Sequence, residues 1–198
     1  MPSRSALLRL SLAAAALLLP TAASAHVGVG HTHGFTHGFA HPIGGLDHVL
    51  AMVAVGLFAA SLGGRALWAV PATFVAVMAA GGALGIAGAG VPYVEFGIAL
   101  SVVILGLAVA MQWKLPVMLA MLLVATFAVF HGHAHGTEMP LDASGAAYAA
   151  GFMLATALLH IAGIALGVGI QRLGSARMTQ VGGAAISLAG VAILAGIV

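Results

Sequence analysis

Charge is nearly missing from this 198-residue sequence: six Lys and Arg and four Asp and Glu make up 5% of it. A soluble globule of this size carries about a quarter charged residues, because its exterior must be solvated. So little charge excludes a soluble enzyme. It also excludes nucleic-acid binding, since a net charge of +2 leaves no basic patch to neutralise phosphates. Cysteine is absent, which removes disulfides, thiolate metal ligands and cysteine nucleophiles. No G-x-x-x-x-G-K loop followed by Ser or Thr occurs, so nothing would bind a nucleotide. What is present is apolar: 62% of residues are hydrophobic and the mean hydropathy is +1.17. Such a chain resides in a lipid bilayer. Against this background stand ten histidines, as many as all Lys, Arg, Asp and Glu together.

Residues 1–25 read as a secretory signal peptide. Arg4 and Arg9 form its basic region, Leu10 to Leu19 its apolar core, and Ala23-Ser24-Ala25 a small-residue cleavage site. The alternative is an uncleaved first membrane helix. Residues 26–41 alternate Gly with His26, His31, His33, His37 and His41. Glycine at this density disfavours a helix, so a flexible periplasmic arm is expected. Six apolar stretches follow in residues 42–198, at about 42–62, 66–88, 93–111, 115–135, 145–170 and 178–198. Each is near the ~20 residues that a spanning helix needs. The expected fold is all-α, a polytopic six-helix membrane domain. With the mature N-terminus outside, the inner loops hold Arg65, Lys114, Arg172 and Arg177, and the outer loops hold no Lys or Arg. That asymmetry obeys the positive-inside rule. It puts eight histidines, Glu138 and Asp142 at or near the outer face, and only His48 and His160 clearly within spans. Gly81-x-x-x-Gly85 and Gly163-x-x-x-Gly167 suit close helix packing. Bundle packing is the expected use; these faces would also admit a homo-oligomer, which the sequence does not require.

Two clusters carry candidate chemistry. In His41-Pro42-Ile43-Gly44-Gly45-Leu46-Asp47-His48, a helix starting at Pro42 would put His41 and His48 on one face, ~10 Å apart along its axis. An Asp and a His inside a span are costly and usually face a cavity or bundle interior. The plain alternative is a cap and a polar pair that lock helices together. In Phe130-His131-Gly132-His133-Ala134-His135-Gly136-Thr137-Glu138, a helix would align His131, His135 and Glu138 on one face. Two imidazoles and a carboxylate so placed can converge on one cation. The alternative is an interfacial polar loop. His160, deep in the fifth stretch, is a further station for an ion or a packing residue. Glu95, a lone carboxylate near the outer start of the third stretch, reads as an interfacial charge, with a ligand as the alternative. Imidazole and carboxylate without thiolate suit Ni²⁺, Co²⁺, Zn²⁺ or Cu²⁺, and spacing cannot separate them.

The first cluster resembles the H-P-x-x-G-x-D-H signature of the HupE/UreJ proteins, and the second resembles that family's second motif. The similarity runs over nearly the whole chain. It implies a nickel (or cobalt) permease of the bacterial cytoplasmic membrane, taking up Ni²⁺ from the periplasm for hydrogenase and urease maturation. Carried over by motif, the implied metal residues are His41, Asp47, His48, His131, His135 and Glu138. The additional histidines (His26, His31, His33, His37, His133) and His160 are lesser metal candidates, either a collecting arm or a shift in metal preference.

The resulting expectation is a secondary permease whose partners are a divalent cation and the bilayer. No prosthetic group is expected, since the metal is cargo. Two rival classes remain: a membrane-embedded histidine-rich metalloenzyme, and a metal-binding accessory or sensor protein that does not transport.

Overall fold

The computed structural model describes residues 34–139 and 144–198. The expected signal at 1–25, the arm histidines His26, His31 and His33, and Asp142 lie outside the described residues. Among the described residues the only regular structure is helical: α1 (Gly34–Gly44), α2 (Leu46–Leu62), α3 (Ala66–Ile86), α4 (Val94–Ala110), α5 (Val117–Thr137), α6 (Gly145–Arg172) and α7 (Ala176–Leu194).

Helices α2 to α7 fall on the six apolar stretches. Four of them (α3, α5, α6 and α7) are long and apolar enough to cross a membrane, and α1 with α2 forms a fifth candidate bent by 80°. Helix α4 is apolar but has only 17 residues. It is short because left-handed residues close both ends, Tyr93 at φ 58° and Gln112 at φ 51°. The chain thus has the helices of a multi-pass membrane protein.

Two expectations change. Residues 34–41, expected in a flexible arm, are helical. Their glycines are contact surfaces: a Cβ at Gly38 would overlap the Tyr148 carbonyl of α6, and one at Gly151 would overlap the Phe35 carbonyl of α1. Backbone-to-backbone packing on α6 offsets the poor helix propensity of glycine. Nor does one helix run from Pro42 through His48. The helix ends at Gly44, Gly45 takes an extended conformation (φ −94°, ψ 122°), and α2 starts at Leu46.

Small residues set the packing. The closest helix pairs are α3 with α5, α4 with α7, and α6 with both α1 and α2. A Cβ at Gly81 would stand 2.6 Å from the Val129 carbonyl oxygen, and one at Gly85 3.0 Å from Gly136 Cα. Across the other pair, a Cβ at Gly163 would stand 3.0 Å from Gly56 Cα, and one at Gly167 2.6 Å from Ala60 Cβ. Both Gly-x-x-x-Gly pairs therefore serve packing within the bundle. Without side chains between them the backbones approach closely, which is how van der Waals contact holds helices together in lipid.

The two ends of the bundle differ chemically. At one end α2, α4 and α6 begin and α3 and α5 finish, and this end holds the described histidines other than His160, which lies midway along α6. Arg65, Lys114, Arg172 and Arg177, every Lys and Arg of the described residues, belong to the other end. There Lys114 Nζ donates to the Ser61 carbonyl at 2.7 Å and Gln171 Nε2 to the Ala60 carbonyl at 2.9 Å, satisfying the open C-terminus of α2.

Candidate functional site

The break at Gly45 builds the first half of the site. Because α1 and α2 meet at 80°, His41 and His48 do not stack along one axis; their ring centroids lie 6.3 Å apart. Asp47, in the first turn of α2, accepts from the His48 backbone N–H at 2.7 Å and from its Nδ1 at 2.8 Å. A carboxylate acceptor fixes the hydrogen on Nδ1 and leaves Nε2 bare. That Nε2 is buried and has no hydrogen-bond partner. Gly45 leaves room for this pair, since a Cβ would stand 2.8 Å from Asp47 Oδ1 and 3.1 Å from His48 Nδ1.

The second half comes from the last turns of α5. His131 and His135, one helical turn apart, are both fully buried. Each meets the His48 ring with centroids 4.8 Å apart, and His135 meets His41 at 5.0 Å. Phe152 of α6 stacks on the His135 ring at 4.9 Å and 11°, holding its plane. Both nitrogens of His135 are buried without partners. Glu138, just beyond α5, pairs with His41, Oε2 to Nε2 at 2.7 Å. The two sequence clusters, distant in the chain, are therefore one site of four imidazoles and two carboxylates. Among the described residues no three of these donors are already closed around a metal-sized point. The rings meet edge to face.

Above them lies an open cavity of ≈ 420 Å³ lined by His37, His41, Asp47, His48, Glu95 and Glu138, among others. Exposed His37 thus joins the cavity wall. Glu95, in the first turn of α4, lines the same cavity, where the sequence favoured an interfacial charge over a ligand. Its signal was weak because a lone carboxylate at a helix start has many uses. His133 is not brought in: its Nε2 donates to the Ala89 carbonyl at 2.6 Å, tying α5 to the end of α3. Below the cluster, His160 is buried with both nitrogens unpartnered. The Phe74 ring packs against both it and the cluster, 5.2 Å from His160 and 5.6 Å from His131. Sequence reasoning also missed Ser101, whose hydroxyl lies 2.9 Å from His131 Nε2. Its signal was available: it is the one hydroxyl in the apolar run of α4.

Buried polar nitrogens normally have partners, because an unmade hydrogen bond costs about 1–3 kcal/mol. Unpartnered buried nitrogens occur on His48, His131, His135 and His160, and His133 Nδ1 and the Tyr148 hydroxyl are likewise without a protein partner. Neutral imidazole lone pairs bind transition-metal cations.

No solved structure matches the chain. Protein HupE of Rhizobium leguminosarum bv. viciae is 50% identical over 184 residues, covering 92% of this chain and 95% of the relative. The sequence pattern of the family described as HupE / UreJ protein matches residues 14–193, a range that contains every described element of the site. This chain belongs to the HupE/UreJ family.

Proposed function

We propose that this protein is a permease carrying a divalent transition-metal cation, foremost Ni²⁺, from the periplasm across the bacterial cytoplasmic membrane. One observation carries the reading: the His131 and His135 rings each lie 4.8 Å from the His48 ring, centre to centre, and each of the three keeps a buried nitrogen without a partner. A packing role alone would leave those unmade hydrogen bonds unexplained. The donor set, imidazole and carboxylate without thiolate, suits borderline divalent ions. Nickel, and delivery to hydrogenase or urease maturation, are what the family resemblance implies.

The proposed topology has six spans, with α4 at the short end of the ~17–25 residues that suffice. The end bearing all described Lys and Arg faces the cytoplasm. The cavity then opens to the periplasm. There the carboxylates of Glu95 and Glu138 attract the hydrated cation, and His41 and His48 exchange for its water. Turning the His131 and His135 rings completes the ligand set. His160 is the next donor inward, past the Phe74 ring. The membrane potential favours inward movement by ~2.3 kcal/mol per charge per 100 mV. Transport and not catalysis is the reading, because the donors form a graded series from an open cavity toward the interior.

The test is purified protein in liposomes with a metal-sensitive dye inside, offered Ni²⁺, Co²⁺, Zn²⁺ and Cu²⁺ in turn. Protein-dependent Ni²⁺ entry supports a permease. Tight Ni²⁺ binding without entry would instead make it an accessory or sensor protein.

A further inference from the structure

Ser101 lies in the middle of α4, fully buried, and touches two groups of opposite kind. Its Oγ is 2.6 Å from the Ile98 carbonyl oxygen of its own helix and 2.9 Å from Nε2 of His131 on α5. A carbonyl oxygen only accepts, and two oxygens so close need a hydrogen between them. The single hydroxyl hydrogen of Ser101 therefore points to Ile98. Only lone pairs remain on Oγ to face His131, so the hydrogen of that second contact belongs to His131 Nε2. A neutral imidazole carries one N–H and one bare nitrogen. The bare nitrogen of His131 is Nδ1, which is buried and has no partner.

His48 follows the same logic with a different acceptor. Its Nδ1 donates to the Asp47 carboxylate and its Nε2 is left bare. The two rings, 4.8 Å apart, thus each have one nitrogen tied to a protein acceptor and one lone pair left over. Without Ser101 the neutral His131 ring would be free to place its hydrogen on either nitrogen, and one of the two forms has no lone pair at Nδ1.

We infer that Ser101 is a positioning residue that holds His131 as its Nε2–H form and so keeps the Nδ1 lone pair available to a divalent cation. This rests on the metal-binding reading above and adds a residue to it. A hydroxyl does this without adding charge beside the cation, unlike the Asp47 carboxylate at His48. Outer hydrogen-bond partners of metal-binding histidines typically change affinity about 10–100-fold.

The experiment is long-range ¹H–¹⁵N NMR of histidine-labelled, metal-free full-length protein in detergent, with Ni²⁺ titrations of the same samples. His131→Gln identifies the His131 signals. Wild type should show His131 in the Nε2–H form. Ser101→Ala should bring in the Nδ1–H form and weaken Ni²⁺ binding about 10–100-fold, and Ser101→Thr, which keeps the hydroxyl, should restore both. A structural role for Ser101 alone would change stability and leave the tautomer as it is. The inference is overturned if wild-type His131 is in the Nδ1–H form, or if Ser101→Ala keeps wild-type tautomer and affinity. If wild type has the expected tautomer but binds no Ni²⁺, the metal reading beneath the inference falls, while the hydrogen-bond assignment stands.

Discussion

The His41 ring of α1 and the His135 ring of α5 meet edge-on, with centroids 5.0 Å apart and planes at 74°. One lies in each sequence cluster, and this contact makes the two clusters one site. If they share a cation, their effects on binding are coupled. His41→Ala and His135→Ala should each weaken Ni²⁺ binding, and the double variant should lose less than the sum of the two. The expected interaction energy is about 0.5–3 kcal/mol, the range for residues in direct contact. Calorimetric titration of the four proteins checks it, and strict additivity would place the two rings in separate sites.

Gly45→Ala separates the geometry of the site from the stability of the fold. Its backbone conformation suits alanine, so the helix break survives. The added Cβ would crowd the Asp47 carboxylate and the His48 ring. Ni²⁺ affinity should fall about 10-fold or more with little change in the thermal unfolding midpoint. An unchanged affinity would mean that the Asp47–His48 geometry is not needed for binding.

Glycine contacts should dominate stability. A Cβ at Gly132 would overlap the Met78 carbonyl of α3, whereas one at Gly182 of α7 meets nothing within 4 Å. Gly132→Ala is predicted to destabilise by about 1–3 kcal/mol or more through overpacking. Gly182→Ala should be neutral or stabilising by up to about 1 kcal/mol, since alanine is the better helix former. Thermal unfolding in detergent measures both.

Because the sequence contains no cysteine, single cysteines report topology cleanly. Tyr93→Cys and Gly174→Cys replace exposed residues at opposite ends of the bundle. A membrane-impermeant maleimide added to intact spheroplasts should label the first, and the second only after permeabilisation. The reverse pattern would turn the histidine cavity toward the cytoplasm and exclude uptake through it.

Much of this site was legible in the sequence because its periodicity is local. His131 and His135 share a helical face, and α5 sets both against the His48 ring, while Glu138, just beyond α5, reaches His41. The six apolar stretches likewise located α2 to α7. What spacing could not give was the tertiary contact. Nothing local says that His133 is held by Ala89, that Phe152 stacks on His135, or that Ser101 reaches His131. Residues 34–41, the described part of the Gly/His segment, were misread for a related reason. Glycine signals flexibility in water, but Gly38 is buried against α6, where the lack of a side chain allows the contact. The bend at Gly45 was hidden because a glycine pair can either sit inside a helix or end one, and the choice depends on what each side packs against.

The central claim is that the cation passes through the imidazole cluster. Initial Ni²⁺ flux into liposomes, measured for wild type and for His48→Ala and His131→Ala at matched protein incorporation, tests it most directly. The account predicts clear wild-type flux and at least a 10-fold loss in each variant, as expected when a cation ligand is removed on a membrane path. Wild-type flux retained in both variants would contradict it.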